Sequence, residues 1–442
     1  MKFLIVGGNA AGMSAASKIS RMLPEADITV LEQSNDISYG NCGFPYYFGG
    51  LVESLDGLYA RRLPRFKEMG INVLLSHKAK SIDRDKQQVL AVNPQGEVTF
   101  NYDRLILATG ASPAVPPVPG MDLGNVFVLR TMQDARDIDG SLSRAKQICV
   151  VGGGYIGLEM AENFSLRGLD VTVVQRSNLL PALDESLSAL VEKELVDHGV
   201  KVKTGHQLMG IEGQTRAEKI ITDKGSFPAD LVLVATGVKP NSQLAVEAGL
   251  ETTAEGAIVV DEFLATSDKN IFAAGDCARN WHRVSQGWSW LPLGDTANKM
   301  GRTAAVNAAG DKQPFPGVVG TAAVKVFDLN VGHTGFGLSQ AKEFFPDARA
   351  IEITAPDRPG YYPGRGRVTC RLIFLPSGKL VGAQAAGSPA AVEAVNICSL
   401  ALGLEADVED LAAMDLAYAP PYSPVWHLLL IAAGRAVTEM ES

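Results

Sequence analysis

QICVVGGGYIGLEMAENFSLRGLDVTVVQ, residues 147–175, decides the fold. A short apolar strand enters a glycine turn, a helix of small and apolar residues follows, and a second apolar strand closes the unit. Gly152, Gly154 and Gly157 fill the three glycine positions of a G-x-G-x-x-G fingerprint. The first permits a tight turn, the second lets a backbone approach a pyrophosphate, and the third lets the helix pack on the strand. The positive end of the helix, opened by Tyr155 and Ile156, is then placed to face phosphates.

The same pattern stands at the N-terminus, as KFLIVGGNAAGMSAASKISRML from Lys2 and then ADITVLEQ from Ala26. Gly7 serves the turn, Gly8 and Ala11 keep it small, and Gly12 allows close helix packing. Glu32, followed by Gln33, is placed to accept hydrogen bonds from ribose hydroxyls. One position departs: Asn9 stands where the middle glycine is expected. Each unit is followed by a matching strand and turn, LILATG at 105–110 with Ala108, Thr109 and Gly110, and LVLVATG at 231–237 ending on Gly237. IFAAGDCA at 271–278 adds another such turn with Gly275 and Asp276. This order predicts an α/β chain with two Rossmann-like dinucleotide-binding domains.

Length and composition agree. The 442 residues exceed one ordinary core and predict two or three domains. With 46% hydrophobic and 20% charged residues the chain reads as globular rather than disordered. A net charge of −9 argues against nucleic acid or an anionic membrane as partner. Any anionic small ligand therefore needs a local cluster of Arg or Lys. Met1 leads directly into a strand, so no signal peptide is expected, and the apolar runs are too short to span a membrane. Five cysteines form no CxxC and no metal spacing, so no metal site is expected and the compartment is read as cytoplasmic, with thiols reduced.

The motifs GG-N-AAG, LILATG, GGGYIG, ATG and AAGD, in that order, resemble those of the flavoprotein disulfide reductases. NCGFPYY at 41–47, PLGDTANKMGR at 292–302 and YAPPY at 418–422 look like the single-cysteine branch. That branch contains coenzyme A-disulfide reductase, CoA-persulfide reductase, NADH oxidase and NADH peroxidase, and the likeness runs essentially end to end. The resemblance implies FAD in the first site and NAD(P)H in the second. It implies a discontinuous FAD domain over 1–112 and 241–325, an NAD(P)H domain over 113–240, and an α+β dimerisation domain over 326–442. Asn41, Ala297 and Lys299 join the residues expected at the cofactors, Lys299 as a positive charge near the flavin.

At the end of the second strand the ribose-binding carboxylate is replaced by Gln175, followed by Arg176. A neutral amide beside a guanidinium suits a 2′-phosphate and favours NADPH, with NADH use left open.

Cys42 lies in SYGNCGFPYY, residues 38–47. The resemblance implies that it begins a helix beside the flavin, where helix-end amides lower its pKa. Dithiol relatives carry a second cysteine five residues on, where this chain has Tyr47. Without it, the oxidised form of Cys42 is expected to be a mixed disulfide, a persulfide or a sulfenic acid. Cys149, Cys277, Cys370 and Cys398 read as packing residues. Tyr361 and Tyr418 resemble tyrosines that the family points across the dimer toward the thiolate.

A CoA ligand would need cations. Arg21 matches an arginine of the CoA-using members, Arg61, Arg62 and Arg65 add local charge, and Ser38 and Asn41 flank the cysteine as in those members. The expected activity is reduction of CoA disulfide or a CoA persulfide by a homodimer. The rivals are an oxidase or peroxidase working through a Cys42 sulfenic acid, and an electron-transfer flavoprotein serving a protein carrier. Two segments depart from the family pattern: 279–294, which holds three of the four tryptophans, and 422–434, with Trp426 and His427.

Overall fold

The computed structural model describes residues 1–441. Its first parallel sheet holds the strands Lys2–Val6, Asp27–Leu31, Ile71–Leu74, Arg104–Leu107 and Ile271–Ala273. The Ile271–Ala273 strand pairs with Arg104–Leu107, so the chain returns to this sheet after building the second half. The second parallel sheet is laid out in the same way, with Gln147–Val151 between Asp170–Gln175 and Leu231–Val234. Both sheets are buried on their two faces, and their strands are runs of Val, Ile and Leu rather than alternating patterns, as parallel sheets require.

Each half also carries a three-stranded antiparallel meander, at 78–101 in the first and 208–228 in the second. Two chain crossings join the halves. They pair with one another as antiparallel strands, Ala111–Pro113 with Val238–Pro240. The expected boundaries at 113 and 240 fall on these two strands.

The remaining third is a five-stranded antiparallel sheet running from Ala322 to Gly387, covered by the helices Ala390–Gly403 and Leu428–Glu441. Its first strand, Ala322–Val326, begins ahead of the expected boundary at 326. A composition change marks where a sheet is rich in strand residues, not where its first hydrogen bond forms. The fold is therefore α/β, with two Rossmann-like domains and an α+β third domain. No described helix is long and apolar enough to cross a membrane.

A half-buried polar cluster joins the third domain to the second half. The Asp184 carboxylate accepts the Leu338 amide at 3.1 Å and pairs with Arg371 Nε at 2.9 Å. Gln384 is fully buried and accepts the Asp184 amide at 2.9 Å. Burial of these groups is tolerated because each finds a partner.

Candidate active site

The glycine turns are shaped by backbone contact. At Gly7 a Cβ would stand 2.1 Å from the Ala108 carbonyl oxygen, and at Gly12 1.9 Å from the Gly7 carbonyl. In the second half Gly152 faces the Ala235 carbonyl at 2.2 Å and Gly157 the Gly152 carbonyl at 2.0 Å. The middle position differs: nothing lies within 4 Å of a Cβ at Gly154. Protein packing therefore does not demand glycine there, which is why Asn9 fits the first turn.

Both turns fit a dinucleotide on a second ground. The helices Ala10–Met22 and Tyr155–Leu166 begin without a side-chain cap and without an acid in the first turn. Their leading amides remain available to an anion. The neighbouring helix Met132–Leu142 is closed by a full capping box, Thr131 with Asp134. Glu32 accepts the Gly8 amide at 2.8 Å through one oxygen and the Ser34 amide at 2.8 Å through the other. Gln175 occupies the matching place, accepting the Gly153 amide at 3.2 Å while its NH2 donates to Ser177 Oγ at 3.0 Å. Arg176 is exposed beside it.

Around the first turn, Thr109 Oγ1 donates to the Asn241 carbonyl at 2.5 Å, which ties the Ala108–Gly110 turn to the returning chain. Asp276 pairs with Arg130 at 2.7 Å. Arg130 escaped the sequence reading because no motif surrounds it. Its place is set by the fold, which brings the stretch after the Val126–Phe127 strand to the Gly275–Asp276 turn. Gly301 lies against the Ala11 carbonyl, where a Cβ would be 2.2 Å away, so the Gly294–Ala308 helix rests directly on the first helix. Ala297 is buried on that helix. Lys299 is exposed on the same helix and pairs with Asp295 at 2.9 Å, both side chains open to solvent. Gln33 and Gly237 are exposed at the ends of their strands.

Cys42 is exposed, in a single 3-10 turn Asn41–Gly43 that precedes the short helix Phe44–Phe48. Ser38, at φ +50°, is pinned by its amide to the Gly8 carbonyl at 2.9 Å and by its carbonyl to the Ala60 amide at 2.7 Å. The cysteine turn is thereby bound to the first glycine turn. Although the residue is exposed, close packing around its sulfur and the Glu159 carboxylate push the Cys42 thiol up, against a smaller pull from Arg130, the opposite direction to the depression that the resemblance implies. One turn and five residues of helix offer too little dipole to offset them. The other four cysteines are buried, and burial raises each of them, Cys370 to about 12.

Arg21 is exposed in the last turn of the first helix. The segment after Tyr59 forms a pocket of about 250 Å3 lined by Asn35, Tyr59, Arg61, Arg62, Leu63 and Leu75. Arg62 lies over the Tyr59 ring at 4.8 Å and pairs with Asp56 at 3.2 Å. Arg65 pairs with Glu68 instead.

The tryptophan-rich segment forms a hairpin, Asn280–His282 with Gly287–Ser289. Trp281 and Trp288 meet edge to face at 5.5 Å, and the Arg279 guanidinium covers Trp288 at 4.0 Å. Trp290 donates its indole N–H to the Asp276 carbonyl at 2.9 Å and so braces that turn. His427 Nδ1 accepts the Leu429 amide at the start of the last helix, and burial lowers its pKa, which gives it a structural place. Tyr361 and Tyr418 are exposed, 74% and 49%. Tyr155, beside the second turn, meets His333 Nε2 of the third domain at 2.5 Å.

Comparison with known proteins agrees with this layout. Residues 1–301 match the pyridine nucleotide-disulphide oxidoreductase family model, and 321–429 match the dimerisation domain of that family. The chain is 37% identical to the NAD(P)H coenzyme A polysulfide/persulfide reductase of Pyrococcus horikoshii, over 98% of this chain and 97% of that one. It is 35% identical to an NADH oxidase of Methanocaldococcus jannaschii, over the whole of both chains. The structure of a NAD-dependent persulfide reductase from A. fulgidus superposes with a TM-score of 0.97 at 38% identity, covering 100% of this chain and 84% of that one. This chain belongs to the pyridine nucleotide-disulphide oxidoreductases, a family of FAD- and NAD(P)H-dependent enzymes, and carries the family's dimerisation domain.

Proposed function

We propose that this protein reduces a small disulfide or persulfide with NAD(P)H, that Cys42 is its redox thiol, and that the substrate carries coenzyme A. The observation that carries the reading is the solitary, exposed Cys42 held against the first glycine turn, with the Arg61–Arg62 pocket on the adjoining loop segment. A thiol without a second cysteine in reach must take its sulfur partner from solution. The partner's phosphates need cations, and Arg21, Arg61 and Arg62 are three on that side of the fold. Ser38 and Asn41 flank the thiol.

FAD is assigned to the Gly7–Gly12 turn with Glu32, Thr109 and Asp276, and the nicotinamide cofactor to the Gly152–Gly157 turn. When bound, the flavin supplies the two-electron path from nicotinamide to sulfur. The Cys42 thiolate attacks one sulfur of the incoming disulfide, breaks the S–S bond, and releases a thiolate that takes one proton from the site. The resulting mixed disulfide at Cys42 accepts two electrons and one proton, returning Cys42 thiolate and a free thiol. Gln175 and Arg176 favour NADPH, since neither repels a 2′-phosphate as a carboxylate would.

Two copies are proposed to assemble through the third domain. Tyr361, Tyr422 and Trp426 are all at least 68% exposed there, an aromatic surface that a second copy would cover. In that dimer Tyr361 and Tyr418 serve the Cys42 of the other copy as hydroxyl donors. The compartment is taken to be the cytoplasm, where Cys42 stays reducible.

The test is the intact mass of the unreduced, denatured protein before and after NADPH treatment. An adduct of CoA mass on Cys42 that NADPH removes is the expected result. A bare or singly oxidised Cys42 with fast oxygen or peroxide turnover would move the function to an oxidase, as the Methanocaldococcus relative is named.

A further inference from the structure

The Cys42 turn does not stand alone: it is packed on a helix of the other half. Phe48 meets Phe164 at 5.9 Å, and Gly49 is needed because a Cβ there would lie 1.8 Å from Asn163 Oδ1. From the same helix, Tyr155–Leu166, Glu159 reaches toward the cysteine turn and its Oε1 accepts the Tyr46 hydroxyl at 3.4 Å. Glu162, three residues on, has Lys325 at 3.2 Å. Glu159 pairs with no cation among the described residues, although it is the strongest charge acting on Cys42. A half-buried carboxylate that touches the phenol four residues past a reactive thiol, and has no counter-ion among the described residues, is an expensive arrangement unless the proton is mobile.

We infer that Glu159 and Cys42 share one negative charge: thiolate at Cys42 is favoured while Glu159 holds the proton, and Glu159 ionises when the sulfur is a thiol or a disulfide. Tyr46 keeps the carboxyl in place. The exchange balances within the site, Cys42–SH with Glu159–COO⁻ on one side and Cys42–S⁻ with Glu159–COOH on the other. It also stores one proton for the thiol that leaves when a mixed disulfide at Cys42 is reduced.

The surroundings support the sign. Burial and Glu162 push the Glu159 carboxyl up to about 7, and the Tyr46 hydroxyl draws it down. Tyr46 itself is pushed up to about 12 and stays protonated. On the thiol side, Arg130 and Asp276 oppose one another and are ion-paired, so their effects largely cancel. The carboxylate form of Glu159 raises the Cys42 pKa; its neutral form does not. Below about pH 7 the thiol is relieved of that charge, and above it the thiol is held back.

The inference rests on Cys42 being the redox thiol but not on the identity of its substrate. It is tested on the FAD-loaded enzyme, reduced and desalted, by the rate at which iodoacetamide alkylates Cys42 between pH 6 and pH 9. Glu159→Gln is expected to match the native rate near pH 6 and to exceed it roughly three- to tenfold near pH 8. The native profile should rise with less than a one-proton slope, and the variant with a full one. Tyr46→Phe removes the bond that draws the carboxyl down, so the inflection should move to higher pH. A Glu159→Gln profile superimposable on the native one overturns the inference. If that variant fails to hold FAD, an unmoved inflection in Tyr46→Phe overturns it equally. Neither result depends on the CoA adduct, so failure of the substrate reading would be seen separately.

Discussion

Gly7 and Gly152 avoid the same collision, with a carbonyl 2.1 Å from one missing Cβ and 2.2 Å from the other. Gly12 and Gly157 repeat the match at 1.9 and 2.0 Å. The two dinucleotide halves are thus built on one backbone solution, but they differ in the side chain at the end of the second strand of each. Glu32 uses two oxygens as acceptors at 2.8 Å each, while Gln175 spends one oxygen at 3.2 Å and turns its NH2 outward as a donor. Charge-assisted bonds are shorter and stronger, so the first turn is the more tightly braced. The first half also carries the thiol; the second supplies the helix on which the thiol's turn rests. Backbone geometry is shared between the halves because sterics impose it, whereas the polar contacts at the strand ends diverge because single side chains set them.

The sharpest way to break the pairing is to put the same side chain into both turns. Gly12→Val should yield protein that neither folds in its first half nor retains FAD, a loss above about 4 kcal/mol. Gly157→Val should damage only the second half, leaving flavin absorbance but no reduction by NADPH. Flavin-to-protein absorbance and anaerobic reduction decide between these, and equal phenotypes would show that the halves do not fold as separable units.

Cys42→Ser should keep NADPH-driven flavin reduction while lowering disulfide reduction by roughly a thousandfold or more. Retained disulfide turnover would mean that electrons leave by another route. At the strand ends the effects are smaller. Gln175→Glu, which gives the second half the carboxylate of the first, should shift the NADPH-to-NADH ratio of kcat/KM toward NADH by about tenfold or more, near 1.4 kcal/mol. Glu32→Gln should weaken FAD retention by about tenfold, measured by dialysis against apoenzyme formation. Lys299→Ala, on the exposed helix face with Asp295, should change stability by less than about 1 kcal/mol and leave the flavin reduction potential unmoved. A potential shift would return Lys299 to the flavin's surroundings.

Glycine spacing, strand composition and the repeat of both at 1–33 and 147–175 were sufficient by themselves for two dinucleotide folds and for the solitary thiol. These features are local: a residue without a Cβ, or a missing second cysteine, has the same meaning wherever the chain goes. The tertiary structure alone decided the thiol's electrostatics. Arg130 and Glu159 act on Cys42 from the other half of the molecule, and their distance along the chain hid them, although two carboxyls, Glu159 and Glu162, in the otherwise small and apolar helix YIGLEMAENFSL were a visible anomaly. Lys299 is the converse case, since Asp295 four residues before it on the same helix face was legible from spacing alone. Backbone sterics are written in neighbouring residues, whereas a pKa is set by whatever charges the fold brings within a few ångströms.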